Sequence, residues 1–191
     1  MNSKHFGKGL IATIFCLGMG AHSASADLWH RYGTSQDEAH WRSSDGEFAV
    51  IQVVTNEPQE FLKEWATHPD SFFVSTDNET EVNKPIYTFM VFTGCDHNWK
   101  GYCDVTVSYK TTGPDGEKFG TGEEWIEMDG WTKRGTPGRG RLQLLRGYMG
   151  VNVEDGDDLG EYTIHARIHD KNAGVVLNTS QKFVAKSPES L

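Results

Sequence analysis

Apolar and polar residues alternate along much of the second half of the chain. Tyr162, Ile164, Ala166 and Ile168 interleave with Thr163, His165, Arg167 and His169, the two-residue period of a strand with one buried face. Val105, Val107 and Tyr109 alternate in the same way with Asp104, Thr106, Ser108 and Lys110. Two other runs, Glu47 to Val54 and Ile86 to Phe92, are apolar almost throughout and rich in residues that favour strands. Trp125, Ile126 and Met128 predict a further strand. Leu142 to Val153 predicts one or two, interrupted by Gly147 and Gly150. Gly113-Pro114-Asp115-Gly116 is a turn, since proline presets φ and glycine accepts a positive one. Asp170 to Gly174 reads as a hairpin loop that returns the chain into a strand over 175–185. The pattern predicts seven to eight strands, spaced as in an antiparallel sandwich.

One short helix interrupts this pattern near residues 57–67. Asn56 stands at a capping position, Gln59 at the matching capping-box position, and Pro58 in the first turn, where a missing N–H is harmless. Phe61, Leu62 and Trp65 share one face, and Pro69 limits extension. The expected organisation has four parts. Residues 1–26 form a leader, and 27–84 hold a polar arm, the first strand and the helix. Residues 85–185 form the sandwich, and 186–191 a frayed tail.

Asp158-Leu159-Gly160-Glu161-Tyr162, followed by the alternating strand and its hairpin, resembles the D-x-G-x-Y corner of immunoglobulin-like sandwiches. The resemblance covers roughly residues 85–185 and implies that Tyr162 is a corner tyrosine whose hydroxyl bonds back to the chain. Asp158 and Gly160 would be its turn partners. Ile164 stands where antibody-type domains carry a cysteine. The pattern is therefore closer to bacterial immunoglobulin-like or cadherin-like periplasmic modules, and the whole chain resembles small exported proteobacterial proteins. The implied fold class is all-β: an antiparallel immunoglobulin-like sandwich with one short helix, behind a signal peptide. Such a fold mostly serves as a scaffold for binding.

The leader changes how the cysteines are read. Lys4 and Lys8 precede the apolar stretch Leu10 to Leu17, and Ala24-Ser25-Ala26 forms an A-x-A cleavage site. That stretch is far short of the ~20 residues that span a bilayer, so the expectation is a periplasmic or secreted protein with no integral membrane segment after cleavage. Without Cys16 the chain keeps Cys95 and Cys103, which an oxidising compartment favours as a disulfide. Their spacing is not the C-x-x-C of a redox pair. The bond is expected to staple the loop between two adjacent strands.

The composition of the 191-residue chain then narrows the choice of partner. Its formal charge of −9 repels phosphate backbones and anionic lipid, which argues against nucleic acid. Signatures for a serine-nucleophile elbow, a zinc protease helix or a phosphate loop are absent. No cofactor is implied. His165 and His169 would share a strand face, but their Cα atoms lie about 13 Å apart at ~3.3 Å per residue. They, and His97 in the stapled loop near Asp96 and Asp104, are weak metal candidates only. Asp155, Asp157 and Asp158 fail the calcium-loop template, since Leu159 and Ala166 occupy ligand positions. Glu123, Glu124, Glu127 and Asp129 surround Trp125 and Trp131, a remote hint of glycan hydrolysis; Trp65 and Trp125 read more simply as core. The expected function is a non-enzymatic module that binds a protein or envelope component. The alternative is a small-ligand protein of the periplasm, taking a metal or a carbohydrate, the latter at Trp99, Tyr102 or Trp131.

Overall fold

The computed structural model describes residues 40–69, 78–134 and 141–188. The segments expected to form a leader and most of a polar arm, with Trp29 and His30, the loop glycines Gly138 and Gly140, and the end of the chain lie outside the described residues, as do the side chains of Asp129, Lys133 and Arg134. Within them the chain is mostly β with one short helix. In order the elements are β1 (Arg42–Asp45), β2 (Phe48–Thr55), α1 (Pro58–Thr67), β3 (Glu79–Glu81), β4 (Ile86–Thr93) and β5 (Tyr102–Thr112). There follow β6 (Lys118–Phe119), β7 (Ile126–Arg134), β8 (Gln143–Leu144), β9 (Met149–Val151), β10 (Gly160–Asp170) and β11 (Val175–Lys186).

Two sheets result. Sheet I runs β1-β2-β4-β8, with β9 also pairing β4; sheet II runs β3-β11-β10-β5-β6, with β7 also pairing β5. The two hydrophobic patterns in the sequence follow from this layering. On β5 and β10 one face is buried and the other wet, so their residues alternate. Every residue of β2 is buried, and nearly every residue of β4. One face of each packs against Val107, Tyr109, Ile164 and Phe183 of sheet II. The other face, Ala49, Ile51, Val53, Phe89 and Val91, is covered by Phe61, Leu62 and Trp65 of α1. A strand buried on both sides has no reason to alternate.

Several expectations are corrected. The described residues hold eleven strands rather than seven or eight, because short pieces such as β3, β6 and β8 carry too few residues to show a period. Pairing is not purely antiparallel: β3 runs parallel to β11 over Val184–Lys186. Lys186 is thus the last residue of a strand rather than part of a frayed tail. Asn56 does not cap the helix. Its amide donates to the Glu79 carbonyl of β3 (3.0 Å), the N-cap is Glu57 with no side-chain cap bond, and Pro58 occupies the first turn. Residues 42–55, N-terminal to the 85–185 segment, belong to sheet I through β2–β4 pairing. His40 ties this edge to sheet II, its carbonyl accepting the Ser180 N–H of β11 (2.8 Å).

Two glycines are dictated by close approach. Gly94 ends β4 at φ +70°, and a Cβ there would stand 1.8 Å from the Glu47 carbonyl oxygen. Gly130 lies in a bulge of β7, where register shifts between Val105 and Val107, and its Cβ would fall 1.8 Å from the Val105 oxygen.

Candidate functional site

Three connections meet at one end of the sandwich: the β1–β2 turn, the β4–β5 loop and the β10–β11 hairpin. They surround a cleft of about 370 Å³. Its lining combines apolar Phe48, Cys95 and Val175 with polar Asp45, Glu47, Asp96, His97 and Asp170.

The disulfide organises this end. Cys95 and Cys103 are bonded, with Cα atoms 6.0 Å apart, and both are buried in the core. Sequence neighbours β4 and β5 lie in opposite sheets, so the bond crosses between sheets rather than joining adjacent strands of one sheet. This corrects the expected staple: β4 pairs with β2 and β5 with β10, which leaves the Cys95–Cys103 segment as the bridge.

Asp170 is the residue that pattern reading missed. It is fully buried at the end of β10, in phase with Tyr162, Ile164, Ala166 and Ile168. A buried carboxylate requires partners, and this one accepts three backbone N–H groups. Oδ2 takes that of Asp96 (2.6 Å), and Oδ1 those of Asn172 (3.1 Å) and Ala173 (3.3 Å). Asn172 returns the connection, donating Nδ2 to the carbonyls of Asp96 (3.0 Å) and Tyr102 (2.8 Å). The hairpin and the stapled loop are therefore one hydrogen-bonded unit. Its sequence signal is an acid in register with a buried face, immediately before a turn.

Inside the loop, Asn98 closes a tight turn. Its Oδ1 accepts the N–H groups of Lys100 (2.9 Å) and Tyr102 (3.1 Å), while its own N–H donates to the Tyr102 carbonyl (3.0 Å). Gly101 completes it at φ +78°. Trp99 stands at the tip, 90 % exposed, with Lys100 Nζ 4.8 Å from its ring centroid. Tyr102 is 37 % exposed at the base of the loop.

The remaining sites are dispersed. Trp131 was expected as an exposed binding residue, but its pairing with Val105 turns it to the inner face, where it packs edge-on against Phe92 at 5.6 Å. Trp125 is not core. It lies half-buried on the outer face of sheet II between Arg167 (4.2 Å) and Lys110 (5.0 Å). His165 and His169 share that outer face, and His165 Nε2 contacts the Thr112 hydroxyl at 3.3 Å. Partial burial, then the Lys110 charge, push the His165 imidazole below its usual range. Glu124 pairs with Lys110 (3.0 Å), which lowers its carboxyl first by hydrogen bonding and then by charge. His97 is exposed on the stapled loop, its N–H donating to its neighbour Asp96 (2.8 Å). Among the described residues, no three His, Cys, Asp or Glu side chains converge at metal-binding distance. At the opposite end Tyr162 donates its hydroxyl to the Asp158 carbonyl (2.5 Å), and Gly160 holds φ +138° beside Pro114. The Tyr162 ring stacks on Phe183 at 5.2 Å.

No family model and no curated protein matches the chain. Among solved structures, it is similar to part of an alkylpurine DNA glycosylase of Pseudomonas fluorescens, bound to DNA with an abasic site analog. That match has 12 % identity and a TM-score of 0.39, over 59 % of this chain and 28 % of that one. It is also similar to part of a family 123 glycoside hydrolase of Clostridium perfringens. Here identity is 8 % and the TM-score 0.40, over 73 % of this chain and 27 % of the hydrolase. The chain thus spans little more than a quarter of either relative, and likenesses this distant carry no argument about activity. No helix of the described residues is long and apolar enough to cross a membrane.

Proposed function

We propose that the protein is a non-enzymatic recognition module working outside the cytoplasm, in the periplasm or secreted, and that it engages a protein of the cell envelope through the stapled loop. The observation that carries this is Trp99, 90 % exposed on a loop that a buried disulfide and two asparagine-centred networks hold in place. Covering an indole of ~200 Å² is worth about 5 kcal/mol before association costs. A pre-ordered loop sacrifices little entropy on binding. Tryptophan is among the residue types enriched at the energetic centres of interfaces. The disulfide and the leader-like N-terminus support the compartment. The Tyr162–Asp158 corner supports an immunoglobulin-like origin for the sandwich.

The test is site-specific photo-crosslinking in cells, with Trp99→p-benzoylphenylalanine compared with the same residue at Lys118 on β6. A discrete adduct confined to position 99 is expected. Equal labelling at both positions, or none at 99, refutes the reading. A second reading, carbohydrate stacking, is supported by the exposure of the Trp99 ring; Lys100 lies over one face, so a sugar would use the other. A glycan array probed with the native protein and Trp99→Ala decides it, since only glycans lost in the variant would count.

A further inference from the structure

The outer face of sheet II carries a patch that the stapled loop does not use. Arg167 stands at its centre, exposed, its guanidinium carbon 4.2 Å from the centroid of the Trp125 ring. Among the described residues its side chain makes no hydrogen bond and no ion pair. Stacking thus orients the planar fork and leaves its N–H donors unspent. The pairing register defines what surrounds it. Along β10 its neighbours on this face are His165 and His169, and directly across stand Ser108 of β5 and Asn178 of β11. The diagonal positions hold Lys110 and Thr106 on one side, Ser180 and Val176 on the other. None of these is an acid. We infer that the patch binds an acidic saccharide, a hydroxyl-rich ligand whose carboxylate Arg167 takes with two parallel N–H bonds.

Charge and side-chain chemistry both select that occupant. The acids that approach the patch lie outside it: Glu124 is bound to Lys110 (3.0 Å), and Glu161 to Lys182 (2.6 Å). Glu127 stands one strand further out, across Ser108 on β7. No carboxylate of the described residues pairs with Arg167. The chain as a whole, at −9, repels anions at long range. Salt screens that field beyond about 8 Å, so the local donors decide, and they suit a ligand of few charges rather than a polyanion. The same neighbours set its polarity. Ser108, Asn178, Ser180 and Thr106 offer short neutral donors and acceptors across three strands, the partners that sugar hydroxyls need. Beside Trp125, already spanned by Arg167 and Lys110, only Val176 is apolar, so a fatty or aromatic acid finds little to cover.

The experiment titrates isotope-labelled protein with glucuronate, glucose and acetyl-glutamate-amide at physiological salt, followed by two-dimensional NMR. Glucuronate is expected to give saturable shifts at the amides of Ser108, Arg167 and Asn178 and at the Trp125 indole, with the Trp99 indole unmoved. Glucose at the same concentration is expected to give none. Arg167→Gln should weaken binding about tenfold, the worth of a charged hydrogen-bonded contact, and Arg167→Lys, which keeps the charge without the fork, should recover only part. Lys84→Gln makes the same charge change on a lysine paired with Glu81, outside the patch, and should leave binding unchanged. Asn178→Asp sets a carboxylate directly across from Arg167 and should abolish binding with the unfolding midpoint retained, so the loss is not one of fold. The inference is overturned if glucuronate moves none of these signals, if glucose moves them equally, or if Lys84→Gln weakens binding as much as Arg167→Gln. Equal binding of acetyl-glutamate-amide would mean that a bare carboxylate suffices, which overturns the saccharide assignment.

Discussion

At the residue scale, the most consequential side chains are polar groups inside an apolar body. Asp170 is the clearest case. Asp170→Ala strands three backbone N–H groups in a dry site, and the expected loss is about 3 kcal/mol by urea unfolding. Asp170→Asn keeps one acceptor oxygen and should lose about half of that. The two variants also separate stability from loop order: amide exchange at Asp96 is expected to quicken in both, most in the alanine variant. Tyr109 offers a pH test. Burial pushes its phenol well above the usual range, so the folded state resists its ionisation. The sign follows directly: the contribution is complete below the unfolded phenol value of ~10 and is lost as pH rises from there toward the folded value. Stability should therefore fall by roughly 1.4 kcal/mol per pH unit above pH ~10 from this group alone. Tyr109→Phe, which sacrifices only a long 3.4 Å bond to the Gly147 carbonyl, should flatten that slope. Tyr162, also raised by burial, leaves a residual slope in the same direction. Unfolding curves at pH 8 and pH 11 measure both effects.

At the scale of elements, legibility follows burial geometry. β5 and β10 could be read from the sequence because each has one wet face, and α1 because Phe61, Leu62 and Trp65 mark its buried face beside Pro58. β2 and β4 were visible as strands, yet their burial on both faces was not, since a continuous apolar run does not say what lies on each side. Neither sheet membership nor the inter-sheet course of the disulfide is encoded locally. Cys95 and Cys103 are eight positions apart, but which sheet each flanking strand joins depends on pairings with β2 and β10. The inward facing of Trp131 is hidden for the same reason: the β7 bulge at Gly130 resets it, and a bulge leaves no periodic trace. Of the candidate site, Trp99, Tyr102 and the disulfide were legible. Asp170, Asn98 and Asn172 were not, because their partners are backbone groups distant in sequence or hidden in a turn. Removing the cross-sheet link is the test at this scale. Cys95→Ala with Cys103→Ala should lose about 2.5 kcal/mol by the chain-entropy estimate for so short a loop. The Asp170 and Asn172 bonds should keep the hairpin end ordered, so exchange should accelerate over residues 97–101 more than over 171–174. Uniform acceleration of both segments would show that the disulfide, rather than Asp170, carries the whole end.

At the scale of the whole molecule, the question is what fixes one sheet over the other, since apolar faces slide cheaply. Gln52 supplies a directional answer. It sits on the inner face of β2, 1 % exposed, among apolar neighbours. Its Nε2 donates to the Thr88 hydroxyl of β4 and the Ile164 carbonyl of β10 (both 3.2 Å), and its Oε1 accepts from the Thr179 hydroxyl of β11 (2.9 Å). Its backbone carbonyl accepts Gln181 Nε2 (2.8 Å). One amide thus joins strands of both sheets, beside the place where His40 meets Ser180. Gln52→Ala leaves two hydroxyls and a carbonyl short of partners and opens a cavity, an expected loss of about 3 kcal/mol. Replacing the side-chain network together, Gln52→Leu with Thr88→Val and Thr179→Val, removes most of those orphans and should return stability to within about 1.5 kcal/mol of the native protein. The network's effect should then appear elsewhere. Apolar contacts alone permit several nearly equal placements of the sheets, so backbone NMR signals of β2 and β11 should broaden in the triple variant although its unfolding midpoint recovers. Sharp, native-like signals would mean that shape alone sets the register, and that Gln52 is merely a tolerated polar group with its bonds satisfied.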